Sequence, residues 1–189
     1  MTHYRTKKHN YADDEVISAI QKHIRRGNEK ESYYFALELT EESKQGFSLL
    51  VSRLKVILYE DIGLADPELV LQVSKAIDDM TDMYNNDKGD YQMVLAHIIL
   101  LMCRSEKSRI TDHFKEAIKA LWKDGKALEI PDFALDMHTT RGNKELGRRK
   151  HTKEGLDHFI EHGELLTNVS HIKDDYKELA HKIWRSKAK

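Results

Sequence analysis

The chain has 189 residues, 40% hydrophobic and 33% charged, with 31 basic against 32 acidic side chains and a formal net charge of −1. That size suits one globular domain, and the near-neutral balance argues against bulk electrostatic attachment to nucleic acid. The single cysteine, Cys103, excludes an internal disulfide and a cysteine-based zinc cluster. Two prolines and nine glycines are too few turn formers for an all-β chain, so the composition points to solvated helices.

A polar arm over residues 1–12 precedes a helical domain expected over 13–189. The first helix is predicted over Asp13–Arg26, with Asp13, Asp14 and Glu15 in its first turn, Lys22, Arg25 and Arg26 in its last, and Gly27 as its stop. Val16, Ile17, Ile20 and Ile24 form its apolar stripe. A second helix over 29–42 carries Tyr33, Tyr34, Phe35 and Leu37 and forms a hairpin with the first. The third, over 47–62, repeats Phe47, Leu50, Leu54, Ile57 and Leu58 at helical spacing, and Gly63 ends it. Asp66 as N-cap and Pro67 at the first helical position start a fourth helix running to about residue 84.

Tyr91 to Arg104 is apolar on nearly every side, the pattern of a helix buried centrally. Its interruption by His97 and its length fall short of the ~20 apolar residues of a membrane span, and the N-terminus has no apolar signal core. The expected location is the cytoplasm, with no membrane partner. Cys103 on this helix reads as a small buried side chain. Phe114, Ile118, Leu121 and Trp122 are expected to form the inner face of the next helix, closed by Gly125. Beyond Pro131 the pattern weakens into basic, glycine-punctuated pieces before a last amphipathic helix over 172–184.

Three motifs bear on chemistry. Gly142 to Gly147 has the two-glycine spacing of a P-loop, but Arg148 and Arg149 stand where Lys and Ser/Thr are required, and no apolar strand precedes it. Val56 to Asp61 imitates a Walker B strand, yet its 3.6-residue period predicts a helix. His158-Phe-Ile-Glu161-His162 fits H-x-x-E-H, the pattern of inverted zinc peptidases, but only 27 residues remain downstream for a third ligand. His158 and His162 are therefore read as an incidental pair, and no metal or other cofactor is expected. The basic cluster Arg141, Lys144, Arg148, Arg149, Lys150 and Lys153 could neutralise phosphates without reading bases, or lie solvated beside Glu145, Glu154 and Asp157.

The stretch Arg53-Leu54 followed by Glu60-Asp61-Ile62-Gly63-Leu64-Ala65-Asp66-Pro67 resembles the R-L-x-x-x-x-x-E-D-I-G-x-A-D-P signature of MgsA/RarA-type AAA+ ATPases, relatives of clamp loaders and of the Werner-helicase-interacting protein. Val16 to Gly27, Tyr33 to Leu37, and Lys144 to Gly147 resemble flanking parts of the same helical region, so the likeness spans about residues 13–147. The family's "APKSN" turn becomes Arg104-Ser-Glu-Lys107-Ser108-Arg109 here, and the segment after Gly147 departs from it.

The resemblance implies an all-α, collar-like bundle without the ATPase module: a non-catalytic oligomerisation and interaction unit serving DNA replication, recombination or repair. The implied partners are further copies in a dimer or tetramer, a AAA+ ATPase, and weakly DNA. Arg53, Glu60, Asp61 and Asp66 are the expected interface, because two carboxylates in the last turn of a helix oppose its dipole by about 0.3–1 kcal/mol each and call for basic partners such as Arg53 or another subunit. The alternatives are a nucleic-acid-binding helical protein using the 141–153 segment and a metal-dependent hydrolase using the late histidines.

Overall fold

In the computed structural model, residues 5–40, 43–125, 127–171 and 173–188 are described. The expected end of the second helix at Glu41 and Glu42, and the expected start of the last one at Ile172, lie outside them. The described secondary structure is helical apart from one isolated bridge between Arg5 and Ala12, so the fold is all-α. The chain divides into two compact units, 1–125 and 126–189.

In the first unit, helix α1 (Asp13–Arg26) ends as its sequence requires. Gly27 takes a left-handed φ of 74°, and the N–H groups of Gly27 and Asn28 donate to the carbonyls of Ile24 and His23. After this two-residue link, α2 (Glu29–Thr40) packs on α1, burying Ser32, Ala36 and Leu39 against the stripe Val16, Ile20 and Ile24. Ser43 caps α3 (Lys44–Ile57) by accepting from the Gly46 N–H at 3.0 Å. A Cβ on Gly46 would lie 2.1 Å from the Leu39 carbonyl oxygen, so only glycine lets α3 start this close to α2.

The last turn of the predicted third helix widens into a π-turn over Leu58–Ile62. Gly63 follows at φ 45°, a 3-10 turn covers Gly63–Ala65, and α4 (Pro67–Asn86) begins with Asp66 accepting from the Leu69 N–H at 3.0 Å. Asp90 caps α5 (Tyr91–Arg104) in the same way. Leu54, Ile57, Val73, Ile77, Leu95, Ile98 and Met102 join one continuous core. Helix α5 is less enclosed than its sequence implied: Leu95, Ile98, Ile99, Met102 and Cys103 are buried, while Met93 and His97 reach solvent.

Helix α6 (Ile110–Lys123) reverses an expectation. Its stripe exists, but Phe114 and Trp122 are 66% and 78% exposed, Ile118 and Leu121 are also exposed, and none of its residues is buried. Within the unit α6 rests by its N-terminal end on the corner Leu58–Ala65, and periodicity alone cannot supply a neighbour for the rest.

The second unit is built from shorter pieces: a 3-10 turn at Asp132–Ala134, a π-turn at Arg141–Glu145, α7 (Lys153–His158) running into a π-turn at Phe159–Gly163, and α8 (Lys177–Lys187). Among its described residues the buried apolar side chains are Leu135 and Leu156.

Candidate functional site

The signature stretch folds into the corner between α3 and α4. Asp61 is fully buried, and its charge is met inside the chain. Arg25 Nε donates to Oδ1 at 2.8 Å and Nη2 to Oδ2 at 3.2 Å, and Gln21 Nε2 donates to Oδ2 at 3.1 Å. Arg109 approaches from the start of α6, its Nε 3.5 Å from Asp61 Oδ1 and its Nη2 3.0 Å from Glu60 Oε1. Arg25 reaches Glu60 as well, at 3.4 Å. Two carboxylates at an unfavourable helix end are thus compensated by two guanidiniums on other helices.

This corrects the expected partner. Arg53 donates to Gln21 Oε1 at 3.4 Å and takes its place through that amide. With no exposed surface, Asp61 cannot touch a second molecule; it orients Arg25 and Arg109 instead. Asp66 serves as the α4 N-cap. Of the expected interface residues, Glu60 lies on a groove of about 330 Å³ with Lys55, Val56, Tyr59, Thr111 and Lys115, where Val56 and Tyr59 are exposed.

Arg25, Gln21 and Arg109 were missed as site residues. Arg25 stood in the matched stretch Val16–Gly27, but nothing in local spacing aims it at a residue 36 positions away. The Lys107-Ser108 pair meets the same corner. The Ser108 N–H donates to the Asp61 carbonyl at 2.9 Å, and Lys107 Nζ donates to the carbonyls of Cys103 and Ser105 at the end of α5. Burial draws the Lys107 ammonium below its usual range and pushes the Cys103 thiol up, so the cysteine is a packed side chain beside Ser32, 3.5 Å away.

In the second unit the basic cluster divides. Arg148 is already engaged: Nη2 lies 2.7 Å from Asp132 Oδ1, and Nη1 donates to the Leu135 carbonyl at 2.7 Å. Arg141, Lys144, Arg149, Lys150 and Lys153 are exposed. Arg148 and His158, whose Nε2 is 3.0 Å from Asp132 Oδ2, together hold the Asp132 carboxyl below its usual range. His162 stands beside His158, ring centroids 5.0 Å apart, and among the described residues no three His, Cys, Asp or Glu side chains converge to hold a metal ion. The loop that imitated a P-loop is a π-turn, and Gly142 is there for close approach: a Cβ would lie 2.0 Å from the Asp136 carbonyl oxygen. Val56 to Asp61 is helical, as its period predicted. Among the described residues no helix is long and apolar enough to cross a membrane.

The model of the MgsA AAA+ ATPase C-terminal family matches residues 27–178, a range that holds Glu60, Asp61 and Arg109 of the charged corner, while Gln21 and Arg25 precede it. The chain belongs to this family. It is also 30% identical, over 148 residues, to replication-associated recombination protein A of Bacillus subtilis (strain 168), a match covering 78% of this chain and 32% of that protein. The chain therefore spans about a third of that relative's length. The MgsA C-terminal match runs past Gly147 through α7, where the resemblance read from motifs had stopped, and so covers most of the second unit.

Proposed function

We propose that this MgsA C-terminal chain is a non-catalytic oligomerisation and interaction module that works in the cytoplasm with a AAA+ ATPase in DNA replication, recombination or repair. The process is suggested by the role for which the Bacillus subtilis relative is named, and the ATPase partner by the family. The observation that carries the module reading is the apolar face of α6. Phe114, Ile118, Leu121 and Trp122 form a stripe in solvent beside the groove at Val56 and Tyr59, and a contiguous exposed apolar surface marks an interaction site. Arg109, immediately before α6, ties the start of that helix to Glu60 of the charged corner. Glu60 and Arg109 lie beside that groove and stay partly accessible. Closed symmetry, a dimer or a tetramer, is the arrangement expected of copies joined through one such face.

Light scattering across a concentration series tests this reading. The protein should exceed the 22.1 kDa monomer mass, and Leu121→Glu with Trp122→Glu should return it to the monomer without loss of helicity. A strict monomer that also fails to retain a AAA+ ATPase would overturn it. With Arg148 and Arg149 after Gly147, the chain itself should not bind Mg-ATP in calorimetry.

A further inference from the structure

The second unit contains a cleft of about 330 Å³ remote in kind from the charged corner. Its inner lining includes Leu156 and Phe159, and Trp184 of α8 forms another part of the wall while remaining 39% exposed. The two aromatic rings meet edge to face at 6.2 Å. Helix α8 is tied down next to this wall. His181, buried, lies 2.9 Å from Glu164 Oε1, and its ring is 5.5 Å from that of Trp184. The indole is therefore placed before any ligand arrives.

The charged side chains of the lining are the lysines Lys150 and Lys187. Lys150, Lys187, His138 and His151 border the cleft, and no carboxylate is among its lining residues. Asp136 accepts from the His138 backbone N–H at 2.9 Å, and its Oδ2 lies 3.2 Å from the His138 Nδ1. His151 takes a left-handed φ of 71°, a conformation histidine adopts more readily than most non-glycine residues. An accessible indole bordered by lysines matches a flat aromatic base carrying phosphates, since bases stack on aromatic faces whatever their sequence and phosphates pair with basic side chains. Exposed Arg149, Lys144 and Arg141 continue the positive charge along the chain from Lys150, which suits a strand with several phosphates better than a lone nucleotide.

We propose that this cleft binds an unpaired nucleotide of single-stranded nucleic acid, its base stacked on Trp184 and its phosphates on Lys150 and Lys187. The site lies in the second unit and is independent of the α6 face, so it stands or falls separately from the interaction-module reading.

The test uses the full chain with Trp122→Phe, so that Trp184 is the remaining tryptophan, titrated with a labelled thymidine oligonucleotide at low salt. Expected results are a rise in anisotropy, quenching of Trp184 emission, and affinity that falls as salt rises. Trp184→Ala should weaken binding about tenfold or more, while Trp184→Phe should retain most of it. Lys150→Glu with Lys187→Glu should also weaken it, and these exposed sites keep the test sound if Trp184→Ala fails to fold. Absence of binding would overturn the proposal. So would binding without quenching that Trp184→Ala leaves unchanged, which would mean charge attraction alone. Equal affinity for adenosine monophosphate would make the cleft a free-nucleotide site, and quenching by an acidic, aromatic-containing peptide but not by the oligonucleotide would make it a peptide site; either result would overturn the assignment to single strands.

Discussion

Up to Gly125 the chain is held by apolar side chains. Twenty buried residues from Val16 to Cys103 form one cluster, on helices of twelve to twenty residues. After it, among the described residues, only Leu135 and Leu156 are buried apolar groups, and polar ties take over: Arg148 and His158 on Asp132, His181 on Glu164, and glycines 142 and 155 set against backbone. Charge follows the same division, with eighteen lysines and arginines against twenty-one carboxylates before the boundary and thirteen against eleven after it. Burial scales with the area removed from water and tolerates small displacements. Hydrogen-bonded ties contribute about 0.5–1.5 kcal/mol net each and depend on geometry. The second unit should therefore open more readily.

The largest effect is expected where the first unit departs from this contrast by burying a charge. Removing both Arg25 and Arg109 leaves Asp61 without a guanidinium, and urea unfolding should show a loss of about 3–5 kcal/mol. Adding Asp61→Leu to that double variant should recover part of it. A loss no larger than that of an exposed ion pair would remove the corner's structural role.

A direct comparison comes from apolar truncation. Ile98→Ala should cost about 2–5 kcal/mol in the same assay. Leu156→Ala should cost clearly less, because fewer buried neighbours surround it. Equal losses would break the comparison between the two units.

The next effect probes polar and backbone closeness in the second unit. Gly142→Ala forces backbone apart at the Leu135–Asp136 carbonyls and should cost about 1–3 kcal/mol. Amide hydrogen exchange should show faster exchange around residues 135–163 while α4 and α5 keep their protection. Spread of that change into the first unit would mean that the two units unfold together.

The smallest effect is a pH dependence. The Asp132 carboxyl is held below its ordinary value near 3.8 by Arg148 and His158, so its contribution is present above that value and fades as pH falls through the lowered one. Circular dichroism of the second unit should hold through mild acid and weaken only below the usual carboxylate range. Asp132→Asn should remove that part of the acid sensitivity, and an unchanged acid profile would assign the loss to other carboxylates.

Local signals proved dependable where they are enforced by the backbone. The first helix begins and ends where its charges and Gly27 placed it, and Asp66 and Pro67 start α4. Less was legible at the site. In the sequence Glu60 and Asp61 stand out as carboxylates in the last turn of a helix, and Arg53 or another subunit is the expected basic group to answer them. Arg25 and Arg109 do so from α1 and α6.

Helix type, caps and the family signature were determined by the sequence itself, because each depends on residues a few positions apart and on fixed helical periodicity. Whether a stripe is inside or outside was decided only by the tertiary structure. Phe114, Ile118, Leu121 and Trp122 have the spacing of a core face, yet they stand in solvent. The physical reason is that amphipathicity specifies what a helix face would exclude from water, whereas burial and charge pairing require a second surface that distant parts of the chain, or another molecule, must bring.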